Sequence, residues 1–121
     1  LSSMTPTIVE KDGKLLMVVG TPGGSTIITA VYQTILNVID HQMTMQEAVN
    51  AKKYHHQWLP DVVMLEKEAF DQETIGGLTQ FGHEITERGQ IGKMDCILVR
   101  EDGTLEGASD PTRNGGVAVG Y

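Results

Sequence analysis

Cysteine is almost missing from this chain of 121 residues, Cys96 being the only one, so no internal disulfide staples the fold and core packing must suffice. Aromatic residues are scarce at 5%. Long hydrophobic runs are absent too: a membrane-crossing helix needs roughly 20 apolar residues, and the longest stretch, Leu15 to Val19, is strand-sized. No membrane span is expected. Positive charge is in short supply, with 9 Lys+Arg against 16 Asp+Glu, a net charge of −7 and a pI near 4.9. A phosphate-tracking nucleic-acid binder needs clustered Lys and Arg to displace counterions, which excludes nucleic acid as a partner. There is no basic-then-apolar signal segment, and the chain opens at Leu1 in a Ser/Thr-rich loop, so it reads as a processed chain or an excised fragment.

Several reaction signatures are missing as well. The chain has no Gly-Lys-Ser/Thr for a nucleoside triphosphate, no Gly-x-Ser-x-Gly, and no His-x-x-x-His or Cys-x-x-Cys, which removes the usual phosphate loop, nucleophile elbow and zinc spacings. Leu1 cannot act as an N-terminal nucleophile, which must be Thr, Ser or Cys. An enzyme reading therefore requires further residues outside this chain.

What is present is a globular composition, 40% hydrophobic and 21% charged, with 14 glycines that predict many tight turns. The length suits one modest domain or part of a larger one. Two β-prone runs between Thr7 and Gly20 flank Asp12-Gly13, a strong hairpin signal. The uniformly apolar second run predicts a central strand covered on both faces. Ile27, Val31, Ile35 and Val38/Ile39 recur at helical spacing, with Ile28 and Leu36 widening the stripe and Gln33, Thr34 and Asn37 off it; Ser25 is the expected N-cap. Thr44-Met45-Gln46-Glu47 is a capping box opening a short helix through about Ala51. Tyr54 to Trp58 and Val62 to Leu65 read as extended around Pro60, Asp71 caps a helix from Gln72 to Phe81, and strands follow at 84–87, 96–100 and 104–108. A second hairpin turn falls at Asp102-Gly103, and Asn114 to Tyr121 is expected to add a last strand. The order predicts an α+β fold in which antiparallel pairs dominate.

The strand-to-helix junction Thr21-Pro22-Gly23-Gly24-Ser25 is the most informative local feature. Gly23 and Gly24 lack the Cβ that would keep a ligand from their N–H groups, and the following helix start adds unpaired donors and partial positive charge. Such a junction suits an anion or a developing oxyanion; the plain alternative is a tight turn. Ser2 and Ser3 offer adjacent hydroxyls able to hold a carboxylate, although composition favours a solvated loop. His55 and His56 point to opposite faces of a strand, which favours structural roles for both over a metal site, with His41 and His83 as outlying candidates. Cys96 reads as a buried small hydrophobe, and Asp110 with Arg113 as a loop ion pair.

Taken in order, Leu1-Ser2-Ser3-Met4 with Pro6-Thr7-Ile8-Val9, Gly20 to Ser25, Asn37-Val38-Ile39-Asp40, His55 to Asp61, and Gly107 to Pro111 with Gly120-Tyr121 resemble the C-terminal part of the small subunit of gamma-glutamyltransferases (gamma-glutamyltranspeptidases), especially bacterial ones. The resemblance covers essentially all 121 residues. It implies part of a four-layer αββα sandwich of the N-terminal nucleophile hydrolase type, made as a self-cleaving precursor. In that family an N-terminal Thr attacks the gamma-glutamyl carbonyl of glutathione or a related amide, and water or an amino acid or peptide amine then takes the glutamyl group. By this similarity Gly23 and Gly24 supply the oxyanion hole, Ser2 and Ser3 bind the α-carboxylate, and neither cofactor nor metal is needed.

The resemblance also implies that the chain, a single partial domain over 1–121, works with a large subunit and the rest of the small subunit, in the periplasm or outside the cell. The family's nucleophilic Thr, its supporting Thr, the residues that grip the α-amino group and the carboxylate-binding Arg are not in this chain. Two motifs depart: Ala51-Lys52-Lys53 stands where Ala-Pro-Arg is usual, and Asp110-Pro111-Thr112-Arg113 where Asp-Pro-Arg is usual. Lys lacks the planar fork of Arg, so Lys53 is expected to fail at a structural ion pair and Arg113 to be displaced by one residue. These departures bear on maturation and subunit contacts, and they motivate a second reading, a non-catalytic binding domain that kept the scaffold.

Overall fold

The computed structural model describes residues 4–112 and 116–120. Strands β1 (Thr7–Lys11) and β2 (Lys14–Gly20) form the expected hairpin, and Asp12 and Gly13 between them take positive φ values of 53° and 73°. Positive φ at both central residues is the turn that matches strand twist. A 3-10 turn at Gly24–Thr26 leads into α1 (Ile27–Ile39), followed by α2 (Met45–Asn50). Then come β3 (Tyr54–His55), β4 (Val62–Glu66), α3 (Gln72–Gln80) and β5 (Glu84–Arg88). Strands β6 (Asp95–Val99) and β7 (Leu105–Ser109) complete the order.

The strands form two sheets, β1-β2-β6-β7 and β3-β4-β5. The first is antiparallel throughout, while β4 and β5 run parallel across the α3 crossover. The α+β class is thus the one observed, with one parallel pair as its exception. Met17 and Val19 of β2, Cys96 and Leu98 of β6 and Ala108 of β7 pack against Ile27, Ala30 and Val31 of α1 and Met45, Ala48 and Val49 of α2. Strand β2 lies inside its sheet, as its sequence predicts.

Coverage of β2 on both faces is not observed. Ile8, Val18 and Ile97 stand in one cross-strand row on the face away from the helices, and they remain 68%, 36% and 44% exposed. The first sheet therefore carries, on its face away from the helices, an apolar row that the described residues leave open.

Helix α1 also departs in detail from its sequence pattern. Ser25 is not its N-cap: the residue lies within the 3-10 turn, and Thr26 occupies the cap position without a side-chain cap bond. Ile28 is 71% exposed, whereas Gln33 and Thr34 are buried. Gln33 is buried because its amide makes the bonds a strand would: Nε2 donates to the Tyr54 carbonyl at 2.7 Å and Oε1 accepts from the Tyr54 amide at 3.1 Å. Thr34 satisfies its hydroxyl on the Ala30 carbonyl at 2.9 Å. Both side chains carry their own partners into the core, which hydrophobic periodicity cannot register.

The two capping signals hold. Thr44 and Glu47 form a reciprocal capping box on α2, and the Asp71 carboxylate accepts from the Thr74 amide at 2.7 Å on α3. The extended stretch expected from Tyr54 narrows to two residues. Residues 116–120 form no strand, and Asn114, Gly115 and Tyr121, the rest of the expected last strand, lie outside the described residues.

Candidate active site

Strand β2 ends at Gly20 and α1 starts at Ile27, so the chain must turn from sheet to helix within six residues. Gly23 makes that turn with φ 157° and ψ 9°, a combination open to glycine because a Cβ there would lie 3.0 Å from Thr26 Oγ1 and 3.4 Å from the Gly92 α-carbon. The small ψ nearly eclipses the Gly23 and Gly24 nitrogens, and the φ swings the Gly23 N–H to the same side, so two consecutive N–H groups converge. Among the described residues neither donates a hydrogen bond. Both glycines are exposed. A pair of convergent, unspent donors before a helix of 13 residues can stabilise an anionic oxygen.

The turn is held from behind by residues to which the sequence reading assigns no role. Thr21 is fully buried, its hydroxyl donates to the Pro22 carbonyl at 2.8 Å, and the same oxygen accepts from the Lys93 amide. Gly92 has φ 74°, and a Cβ there would crowd Ala30 Cβ and Thr21 Oγ1, each at 3.1 Å. The only sequence signal for this contact is a glycine in the unassigned segment between β5 and β6. Ser2 and Ser3 lie outside the described residues. The carbonyl of Met4, just after them, accepts from the Thr21 amide at 3.1 Å, so the chain leaving the Ser pair is tied to the start of the glycine turn.

The histidines take the structural roles that strand alternation favours. His55 is buried, with Nδ1 on the Thr29 hydroxyl at 2.8 Å and Nε2 on Gln57 Oε1 at 2.9 Å, while His56 is partly exposed and pairs with Asp61 at 3.0 Å. His41 and His83 are exposed. Among the described residues no three His, Cys, Asp or Glu side chains gather as metal ligands. Cys96 is buried, and burial pushes its thiol up to about 11, which keeps it protonated and inert at neutral pH.

A cleft of about 300 Å³ opens elsewhere, between the end of α2, β4, β5 and the segment at Asp110. At its floor Lys53 is 2% exposed. Among the described residues Lys53 forms no ion pair, in line with the loss expected from an Arg-to-Lys change, yet it is held by backbone carbonyls instead. Its Nζ donates to the carbonyls of Val49 at 2.8 Å and Ala51 at 2.9 Å, where the C-terminal end of α2 favours positive charge. Burial lowers its pKa, and the nearby Glu66 and Asp110 carboxylates oppose that shift. Glu66 joins three segments by accepting from the amides of Lys53 at 3.0 Å and Ile91 at 2.6 Å. Arg113 lies outside the described residues; its expected partner Asp110 is buried and accepts from Gln90 Nε2 and from the amide and hydroxyl of Thr112.

Comparison with known proteins converges on one family. The sequence profile described as gamma-glutamyltranspeptidase matches residues 1–120. The chain is 46% identical over 121 residues to the glutathione hydrolase proenzyme of Escherichia coli (strain K12), covering 100% of this chain and 21% of that protein. It therefore spans about a fifth of that relative's length. Among solved structures it is similar to a Helicobacter pylori gamma-glutamyltranspeptidase T380A mutant, with a TM-score of 0.87 and 43% identity over 93% of this chain and 62% of that one. It is likewise similar to the Pseudomonas nitroreducens enzyme complexed with L-DON, with a TM-score of 0.87 and 37% identity over 100% of this chain and 64% of that one.

Proposed function

Because this chain belongs to the gamma-glutamyltranspeptidase family, we propose that it is a piece of an enzyme that cleaves gamma-glutamyl amides such as glutathione and passes the glutamyl group to water or an amine. The observation that carries this reading is the pair of convergent N–H groups at Gly23 and Gly24, which no other described residue uses.

In the proposed reaction a hydroxyl nucleophile from another part of the protein attacks the gamma-carbonyl carbon. The π electrons of that carbonyl move onto its oxygen, and the oxyanion sits between the two N–H donors. Collapse restores the carbonyl, and the amine leaves with a proton, giving an acyl-enzyme. Water or an acceptor amine repeats the attack and frees the nucleophile. The donors speed the reaction only if they bind the tetrahedral oxygen more strongly than the ground-state carbonyl.

Ser2 and Ser3 are proposed to hold the α-carboxylate of the glutamyl group. The Met4 to Thr21 bond supports this role, because it ties the chain leaving the Ser pair to the turn. The open apolar row Ile8, Val18 and Ile97 supports a further layer of the same protein lying against the sheet, as an αββα sandwich requires. That layer is where the large subunit and the rest of the small subunit enter the proposal.

The test is release of the amine from a gamma-glutamyl anilide by the full-length protein, with and without an amino-acid acceptor. Release, faster with acceptor or not, supports the reading. A folded full-length protein that binds the anilide without releasing amine, or a gene that encodes no Thr, Ser or Cys nucleophile upstream of Leu1, would overturn it in favour of the binding-domain reading.

A further inference from the structure

We propose that Thr21 and Thr26 are positioning residues that aim the two N–H donors of the turn. The inference rests on the oxyanion reading above and adds what holds that site in shape. A peptide unit is planar and trans, so its C=O and N–H point in opposite directions. Whatever grips the carbonyl therefore aims the amide hydrogen on the other side.

The Gly23 N–H shares its plane with the Pro22 carbonyl, which the Thr21 hydroxyl holds at 2.8 Å. The Gly24 N–H shares its plane with the Gly23 carbonyl, which accepts from Thr26 Oγ1 at 2.9 Å and from the Thr26 amide at 3.4 Å. Each donor thus has one threonine hydroxyl on the reverse side of its own peptide.

The two hydroxyls are fixed in turn. Thr21 and Thr26 are 0% and 3% exposed, so water has little access to either hydroxyl. Thr21 Oγ1 accepts from the Lys93 amide, which leaves its own hydrogen for the Pro22 carbonyl. Thr26 Oγ1 stands 3.0 Å from where a Gly23 Cβ would be, so the hydroxyl and the missing side chain share one space. Without these bonds both peptide planes can rock about the permissive glycine torsions, and each N–H loses its fixed aim. Oxyanion stabilisation depends on donors already in place when charge develops.

A structural role alone predicts lost stability with native kinetics; positioning predicts a fall in kcat at nearly constant KM. The experiment replaces Thr21 and Thr26 singly by Val and by Ser in the full-length protein and follows a gamma-glutamyl anilide at saturating and limiting concentration, with melting temperature as the check on folding. Thr21→Val and Thr26→Val are expected to lower kcat by about tenfold to a hundredfold, since ångström-scale misplacement of catalytic groups has effects of that order. KM should stay within about twofold. Thr21→Ser and Thr26→Ser keep the hydroxyl and should recover most of kcat. Where valine leaves no folded protein, Thr21→Ala and Thr26→Ala replace it and carry the same expectation.

Native kcat in the hydroxyl-free variants overturns the proposal, as does a serine variant as impaired as its valine counterpart. Gly23→Pro, which deletes a donor and also moves φ from 157° toward about −65°, tests the level below. If folded Gly23→Pro protein keeps native turnover, the oxyanion reading itself falls. If it loses turnover while the valine variants keep theirs, only the positioning role falls.

Discussion

The start of α1 and the end of α2 place main-chain polar groups in opposite situations. At the Gly23–Gly24 turn the groups are N–H donors that face outward and stay unspent. At the end of α2 they are carbonyls that face a buried cation, and the Lys53 ammonium bonds to two of them. The cleft beside Lys53 is a cavity, yet Glu66, Asp110 and Lys53 within it are already committed to protein partners. The turn keeps its bonding capacity for something else. A cavity marks where a ligand fits; unspent, preorganised donors mark where charge can be stabilised.

The comparison breaks most sharply at the turn. Gly23→Pro in the full-length protein should lower turnover of a gamma-glutamyl anilide by at least about 10²–10³, the usual effect of losing one oxyanion donor, because the ring also forces φ away from 157°; melting temperature checks that the variant is folded. The cleft answers to Glu66→Ala, which strands the amides of Lys53 and Ile91 and leaves Lys53 with less opposing charge. A loss of about 2 kcal/mol is expected from unpaired polar groups, read by denaturant unfolding, with kcat little changed.

The smallest effect should come from the start of α3, whose donors, unlike those of α1, are met by a side chain. The bond from Thr74 holds the Asp71 carboxyl below its ordinary value of 3.8. A depressed folded pKa means that the cap stabilises the protein above the ordinary value and that this contribution is lost as pH falls through the depressed one. Asp71→Ala should therefore lower the melting temperature slightly at neutral pH, and the gap from the native protein should close in acid. A gap that persists in acid would show that the carboxylate is not the source.

Much of this is legible in the sequence, and the reason is local. Asp12-Gly13 specifies its hairpin because positive φ costs those residues little. Thr44 and Glu47, three apart, close a capping box within one helical turn. The glycine pair announces a turn that leaves backbone donors bare, and five ordered motifs together identify the family where none does alone. Ser25 misled because a hydroxyl next to an apolar stripe looks like a cap whether or not a 3-10 turn intervenes. Gln33 and Thr34 misled because polarity indicates solvent unless the partner is known, and the partner of Gln33 is 21 residues away.

Sequence alone determined the order of elements, their caps and turns, the family, and the two glycines on which the chemistry is proposed to rest. Each of these follows from torsional preferences and hydrogen bonds spanning a few residues, or from motifs read in order. Tertiary structure alone decided that Lys93 orients the Thr21 hydroxyl from 72 positions away, that Gly92 fits behind Gly23, that Lys53 caps α2, and that one face of the sheet stays open. Those outcomes depend on which distant surfaces meet, because a buried polar atom takes its partner from whatever packing brings within reach.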